Sequence, residues 1–318
     1  MNNTLITGGA GFIGSHAIDL FLERGYNVTC IDKFTYAANR LNIQRALKHK
    51  NFQLIYADIC NFSDVREVCL GNNISWIVNF AAETHVDNSI KNCDEFIRTN
   101  FLGVKNLLEV CKLKRNMKLF HVSTDEVYGT ASTGFFTESS ILNPRNPYSA
   151  TKAAAEHLIH SYNNTYGIDY LIVRPSNNFG PRQHREKFIP TVLRSIFKDE
   201  KIPVYGAGQN VRDWLFVKDN VSMIEKLLAS GAINDTFNIC AENYLTNIEL
   251  VKLILDFYNK DFDASVSFVE DRAGHDFRYA ISCDKLRALG IYEKSDFKNN
   301  LQETISWYNL IKEKLVEQ

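Results

Sequence analysis

A glycine turn set between a strand and a helix constrains this chain more than any other feature. Thr4-Leu5-Ile6-Thr7 is a short apolar run, and Gly8-Gly9-Ala10-Gly11-Phe12-Ile13-Gly14 follows it. Ile13, Ala17, Leu20 and Phe21 then recur at helical spacing through a helix over Ser15 to Arg24. Glycines at 8, 11 and 14 permit a tight turn, close approach of backbone to a ligand, and close packing of helix on strand. The helix N-terminus offers unpaired N–H groups and a positive dipole end to a pyrophosphate. The spacing is G-x-x-G-x-x-G, a variant of the dinucleotide fingerprint, and context makes it a strong signal. The next strand, Val28 to Asp32, ends in an acid about twenty residues beyond the glycines. A carboxylate there grips the adenosine ribose and repels a 2′-phosphate, which favours NAD over NADP. Lys33 beside it leaves NADP open.

Strands and helices then alternate. Phe52 to Ala57 reads as a third strand ending at Asp58-Ile59, where Asp58 can reach the adenine amino group and Ile59 can cover the ring. Ser63 to Leu70 reads as a helix with Asp64 and Glu67 in its first turn. Trp76 to Ala82 is a fourth strand, and Phe96 to Leu113 is one long amphipathic helix. A fifth strand carries Leu119 to Val122; the helix Ser149 to Tyr162 and a sixth strand, Tyr170 to Arg174, follow. This rhythm predicts an α/β fold with a doubly wound parallel Rossmann sheet. Beyond Pro175 the pattern loosens into a polar loop, Ser176 to Gln183, and short strands and helices, ending in a terminal helix from Phe297 to Val316. The second half reads as a smaller mixed α+β substrate-binding domain. The expected division assigns 1–176 plus 212–240 to the NAD-binding domain and 177–211 plus 241–318 to the other.

Ligands of such sheets bind at the carboxyl ends of the strands, and the fifth strand ends in Ser123-Thr124-Asp125-Glu126-Val127-Tyr128-Gly129. Two adjacent acids there are costly if desolvated, so one must be paired or neutralised. The bland alternative is that they cap the next helix or face water. Tyr148 and Lys152 are four residues apart and so share one helical face. A free tyrosine ionises near a pKa of about 10, and a neighbouring cation favours its phenolate.

Charge and cysteine content narrow the partners. The formal net charge is −1, so no global field attracts nucleic acid or an anionic membrane. Seven scattered cysteines without C-x-x-C spacing suggest neither a disulfide framework nor a zinc site. No metal is expected. No run is apolar enough to span a bilayer, and the chain starts directly on a strand with no room for a signal peptide, so a cytoplasmic protein is expected.

Thr7 to Ser15 with Tyr148-x-x-x-Lys152 resembles the extended branch of the short-chain dehydrogenase/reductases. Phe80 to Asp87, Ser123 to Gly129, Arg174 to Pro181, Val211 to Trp214 and Asp271 to Asp276 narrow the resemblance to the dTDP-glucose 4,6-dehydratases. Departures include a short Thr130–Asn146 loop, Ala38 in place of a glycine, and Asn146 in place of a serine. The resemblance implies conversion of dTDP-glucose to its 4-keto-6-deoxy sugar, with UDP-glucose, or an epimerase or decarboxylase on the same fold, as alternatives. Tyr148 would take the 4-hydroxyl proton while C4 gives hydride to NAD, and Thr124 would position that oxygen. Glu126 would remove the C5 proton, and protonated Asp125 would give its proton to the C6 hydroxyl as it leaves as water. The hydride would return to C6, so NAD would stay tightly bound.

The same resemblance assigns the cofactor to Gly8, Gly11, Phe12, Ile13, Gly14, Asp32, Lys33 and Thr35 of the first half-turn of the fold. Asp58, Ile59, Ala81, Ala82, Thr99, Ser123, Tyr148, Lys152 and Asn178 complete that set. It assigns the nucleotide sugar to Thr84, His85, Thr124, Asn177, Lys187, Phe188 and Val192. Pro203, Tyr205, Arg212, Asn247, Arg272 and His275 are expected on the same ligand, Arg212 and Arg272 at its diphosphate. His85 reads equally well as a loop histidine, and either arginine as a solvated surface group. A homodimer through the two long helices, and a place in deoxysugar biosynthesis of the rhamnose kind, are also implied.

Overall fold

A computed structural model describes residues 3–271 and 274–317. Six strands of the expected rhythm form: β1 (Asn3–Thr7), β2 (Asn27–Asp32), β3 (Phe52–Tyr56), β4 (Trp76–Asn79), β5 (Lys118–Val122) and β6 (Tyr170–Pro175). They continue with β7 (Asn177–Phe179), β8 (Ile202–Tyr205), β9 (Val211–Phe216), β10 (Asp235–Ile239), β11 (Tyr244–Thr246) and β12 (Val266–Val269). The main sheet has seven strands in the order β10-β6-β5-β4-β1-β2-β3, all paired in parallel. The chain starts at the centre and winds outward both ways, which leaves a crevice at the β1/β4 switch point.

Strand alternation builds two cores. Ile6, Val78, Phe120 and Leu171 face one side of the sheet, against helices Phe12–Glu23 and Val217–Ala229. Leu5, Ile77, Leu119 and Ile172 face the other, against helices Phe62–Gly71, Val104–Leu113 and Pro147–Tyr166. Each such buried side chain contributes about 1.5–3 kcal/mol. A third core gathers helices Phe188–Lys198, Asn247–Phe257 and Phe297–Leu310 around β8 and β9. There β9 lies between β7 and β11, and β8 pairs with β12.

Several local expectations change. The helix expected from Ser149 to Tyr162 runs Pro147–Tyr166, so Tyr148 sits inside its first turn. Asn146 caps it through a reciprocal pair with Ser149, and Pro147 supplies a preset first helical residue. The helix expected from Phe96 to Leu113 has a π-helical stretch, Ile97–Gly103, before its regular part. That wide turn lets Asn100 hold both backbone groups of Glu83 and the Thr151 hydroxyl, while Thr99 borders the crevice. β4 stops at Asn79 rather than Ala82, because the chain leaves the sheet to edge the crevice. The polar loop after Pro175 contains β7, and the terminal helix breaks at Ile311 into Phe297–Leu310 and Lys312–Glu317. Cys240 and Cys283 come together in the core, a neighbourhood their spacing of 43 residues did not suggest; the fold brings their Cα atoms to 5.9 Å.

One ion pair ties these layers together. Arg174 on β6 and Glu156 on the Pro147–Tyr166 helix are both buried and make bonds of 3.2, 3.0 and 2.5 Å. Arg174 also donates to the Tyr128 hydroxyl at 2.5 Å. Removing one partner leaves an uncompensated buried charge. Arg174→Met should therefore destabilise the fold by roughly 3–5 kcal/mol. The double change with Glu156→Leu should recover most of that loss, as read from the thermal midpoints of the three variants.

Candidate active site

A cleft with about 1530 Å³ of empty space, its open mouth included, follows the carboxyl ends of the parallel strands. The glycine turn forms its floor. Gly8 has φ +68°, and a Cβ there would lie 2.7 Å from the Ala81 backbone. A Cβ at Gly14 would lie 2.4 Å from the Gly8 carbonyl oxygen. Only glycine lets the helix start this close under a ligand.

Asp32 ends β2 nearly buried, its two oxygens accepting the N–H groups of Ala10 at 2.9 Å and Phe34 at 2.7 Å. Burial raises its pKa against those bonds. Each oxygen keeps a lone pair for a ribose hydroxyl. Lys33 is matched by Asp58 at 3.5 Å and Glu95 at 3.9 Å, so its charge is already engaged and does not call for a 2′-phosphate. Every residue assigned to the cofactor borders this cleft. Among the described residues, Thr99 Oγ1, Ser123 Oγ, Asn177 Oδ1 and Asp125 Oδ2 are buried there without a hydrogen-bond partner. Buried orphans of this kind are what a polar ligand satisfies. The residues therefore fit NAD. No cluster suited to a metal occurs among the described residues.

The chemistry collects at one end. Thr124 caps the short 3₁₀ turn Asp125–Tyr128 by accepting the Glu126 N–H at 3.3 Å. Its hydroxyl donates to Asp125 Oδ1 at 3.4 Å and stands close enough to Tyr148 to lower that phenol's pKa against burial. Asp125 is 3% exposed. Burial, then the adjacent Glu126 carboxylate, pushes its pKa well up, so it is held as the acid. Glu126 is more open. Its Oε2 accepts from Asn146 Nδ2 at 3.3 Å and from the Tyr279 hydroxyl at 3.2 Å. The neighbouring acids thus differ as a proton donor and a proton acceptor must. Burial also pushes the Tyr148 phenol up. Lys152, one turn on along the same helix, is buried, donates to the Val122 carbonyl at 2.7 Å, and is brought down to about 8 by burial.

The expected sugar-binding residues divide. Thr84, Thr124, Asn177 and Lys187 border the cleft, and Lys187 Nζ donates to the Thr84 carbonyl at 2.8 Å across it. His85 does not; its Nδ1 caps the Val86–Lys91 helix. Val192 is fully buried in the third core, and Phe188 stacks on Trp214 at 6.2 Å. Pro203 is exposed on β8 and Asn247 opens a helix. Tyr205 and His275 meet edge to face, with His275 bonded to Asp271 at 2.6 Å. Arg212 is 5% exposed, donates to the carbonyls of Val211 and Asp276, and lies over the Tyr279 ring at 4.2 Å. Arg272 lies outside the described residues. Sequence reading passed over Glu83, His184, Glu186 and Tyr279. Glu186 borders the cleft 3.4 Å from His184, and its place beside Lys187 was the available signal.

Fold and site together define an NAD-dependent enzyme of the extended short-chain dehydrogenase/reductase type. A family model described as GDP-mannose 4,6 dehydratase matches residues 5–304, and the chain belongs to that family. It is 42% identical to the low-salt glycan biosynthesis protein Agl12 of Haloferax volcanii, over 96% of this chain and 98% of that one. It is 40% identical to the dTDP-glucose 4,6-dehydratase of Streptomyces niveus, over 96% and 92%. The crystal structure of dTDP-glucose 4,6-dehydratase from Bacillus anthracis in complex with NAD superimposes with a TM-score of 0.92 at 38% identity, covering 98% of each chain.

The Gly14 contact makes a direct test. Gly14→Ala should lower the NAD retained per purified chain by roughly tenfold or more, a cost of about 1.4 kcal/mol. The cofactor released on heating measures it.

Proposed function

We propose that this protein is an NAD-dependent nucleotide-sugar 4,6-dehydratase, a hydro-lyase that converts dTDP-glucose to dTDP-4-keto-6-deoxyglucose. The observation that carries the reading is the unequal acid pair, Asp125 held protonated beside the more open Glu126, next to Tyr148 and Lys152. Epimerases of the same fold use the tyrosine and lysine but have no need of two such acids after Thr124.

NAD, held over Gly8, Gly11 and Gly14 with Asp32 at its ribose, would supply a reversible hydride acceptor for C4 and C6. The chain supplies the proton transfers. Tyr148 takes the 4-hydroxyl proton, with Thr124 bonded to the same oxygen. The resulting ketone acidifies the C5 proton, which Glu126 removes and later restores. Asp125 gives its proton to the C6 hydroxyl as water leaves, and a positioned acid of this kind is worth about 10²–10⁴-fold. Asn146 and Tyr279 aim Glu126, and the Asn146 cap sets the start of the helix that carries Tyr148.

The finer readings rest on smaller observations. We assign the diphosphate to Arg272 and to Arg212, and the sugar to the remaining residues expected there; the halves 177–211 and 241–318 form the nucleotide-sugar domain that covers 1–176 and 212–240. Ile97, Leu102, Leu113 and Tyr166, 43–54% exposed, favour a homodimer through the two long helices, which sedimentation would report. No described helix is long and apolar enough to cross a membrane, and five cysteines are free, in keeping with a cytoplasmic place. The net charge of −1 gives no pull on nucleic acid. We place the keto sugar in deoxysugar biosynthesis, rhamnose among its outcomes.

Purified protein incubated with dTDP-glucose and, separately, UDP-glucose, without added NAD, should yield a 4-keto product that absorbs in alkali, dTDP-glucose being the better substrate. A C4 epimer with no keto product would sink the reading. Glu126→Gln should still oxidise the sugar, seen as the absorbance of reduced enzyme-bound cofactor, yet fail at elimination. Full turnover by that variant would show that another group is the base.

A further inference from the structure

A single phenol proton stands between two carboxyl groups behind the elimination site. The Tyr279 hydroxyl lies 3.2 Å from Glu126 Oε2 and 2.9 Å from Asp276 Oδ2. It has one proton, so it donates to one of them at a time. The ring itself is pinned. It is 2% exposed, its backbone N–H donates to the Val211 carbonyl at 3.3 Å, and the Arg212 guanidinium lies over its face at 4.2 Å. What is left to turn is the hydroxyl. The reaction derived above gives Asp276 no role, although it is fully buried and a carboxyl so placed is costly unless it is engaged.

The surroundings fix the direction of each bond. Thr130 Oγ1 accepts the Phe277 N–H at 3.2 Å and the Arg145 Nη1 at 3.5 Å, so its own proton goes to Asp276 Oδ1. Arg145 Nη1 stands 3.7 Å from that same oxygen, and its side chain is half exposed. Asp276 Oδ2 is then the oxygen that faces Tyr279. On the other side, Asn146 Oδ1 accepts the Ser149 N–H at 2.9 Å. That turns the amide nitrogen of Asn146 toward Glu126 Oε2, and an amide nitrogen only donates. Asn146 therefore serves Glu126 as a carboxylate but takes no proton from it. Of these two partners of Glu126, the Tyr279 oxygen is the one that both accepts and donates.

We propose that Tyr279 and Asp276 are positioning residues that act through Glu126 as a proton relay, running from Glu126 Oε2 through the Tyr279 hydroxyl to Asp276 Oδ2 and on to Thr130. The proposal rests on the dehydratase reading. Glu126 breaks the C5–H bond and gains its proton. With that proton on Oε2, the Tyr279 oxygen takes it while the phenol's own O–H bond breaks and its proton passes to Asp276. Glu126 is then a carboxylate again, Tyr279 is again a phenol, and Asp276 is the acid, so protons and charge balance. The reverse movement returns a proton to Glu126 and from there to C5. The phenol gives and takes in one movement, because burial, and then Glu126, push its pKa well up and no free phenolate forms. Thr130 is partly exposed, so the end of the relay reaches water. The hydrogen that returns to C5 is then drawn from solvent rather than being the one that left.

The test follows the hydrogen at C5. The enzyme as purified, with the cofactor it retains, turns over dTDP-glucose in heavy water; early product is reduced with borohydride and read at C5 by proton NMR. The unaltered enzyme should place deuterium there. Tyr279→Phe removes the middle of the relay. Asp276→Asn removes its end: the Thr130 proton keeps the amide oxygen, so the amide nitrogen donates to the Tyr279 oxygen and accepts nothing from it. In either variant most of the C5 deuterium should be lost from the keto product and the original protium returned. Residues that merely hold Glu126 in place would slow turnover and leave the deuterium content unchanged, and that result overturns the relay. Protium at C5 in keto product made by the unaltered enzyme overturns it too, and leaves the dehydratase reading standing. If one variant does not fold or turn over, the other decides by the same measurement. Absence of keto product from the unaltered enzyme with either sugar nucleotide sinks the dehydratase reading, and the relay with it.

Discussion

The fastening of the Pro147–Tyr166 helix to the ends of β5 and β6 is the constraint on which the site depends. Lys152 reaches the Val122 carbonyl, and one turn later Glu156 locks onto Arg174. Both bonds are buried, so neither is traded cheaply for water. Together they fix the helix in height and rotation over the sheet. Tyr148, one turn earlier, is then set in the cleft beside Thr124. Arg174 extends the lock through Tyr128 to the turn that carries the two acids. One helix position thus sets the redox group and the elimination groups at once.

The chemistry follows from unequal burial of like residues. Asp125 and Glu126 are chain neighbours, yet one is enclosed and the other is reached by Asn146 and Tyr279. The enclosed carboxyl keeps its proton because a second anion beside it in a dry site is too costly. Tyr279 comes from the far end of the chain and also bonds Asp276, on which Thr130 and Arg145 converge. The base is therefore held by side chains from two separate stretches, Asn146 and Tyr279, and the proton donor by its chain neighbour Thr124.

Much of this was legible beforehand. The strand–turn–helix at Gly8 to Gly14, the acids ending β2 and β5, and the Tyr148–Lys152 spacing are local patterns, and local patterns survive translation into structure. Each residue that the family resemblance assigns to the cofactor borders the cleft. The residues expected on the sugar side sit in packing that residue type and spacing do not announce. Val192 is a core residue, Phe188 packs on Trp214, and Arg212 is engaged by backbone carbonyls. Those positions lie where short strands and helices pack by long-range contacts that no periodicity announces. The same reason hid the approach of Cys240 to Cys283, and the π-helical stretch whose Asn100 braces Glu83.

By itself, then, the sequence determined the order of strands and helices, the glycine floor for a dinucleotide and the identity of the reacting groups. All of these are set by residue type and short spacing. Only the tertiary structure decided their charge states and their supports. Which acid keeps its proton depends on burial, and burial is a property of packing. That Thr7, Asn79 and His121 meet at all depends on strand register, since they are 72 and 42 positions apart in the chain and meet only across β1, β4 and β5.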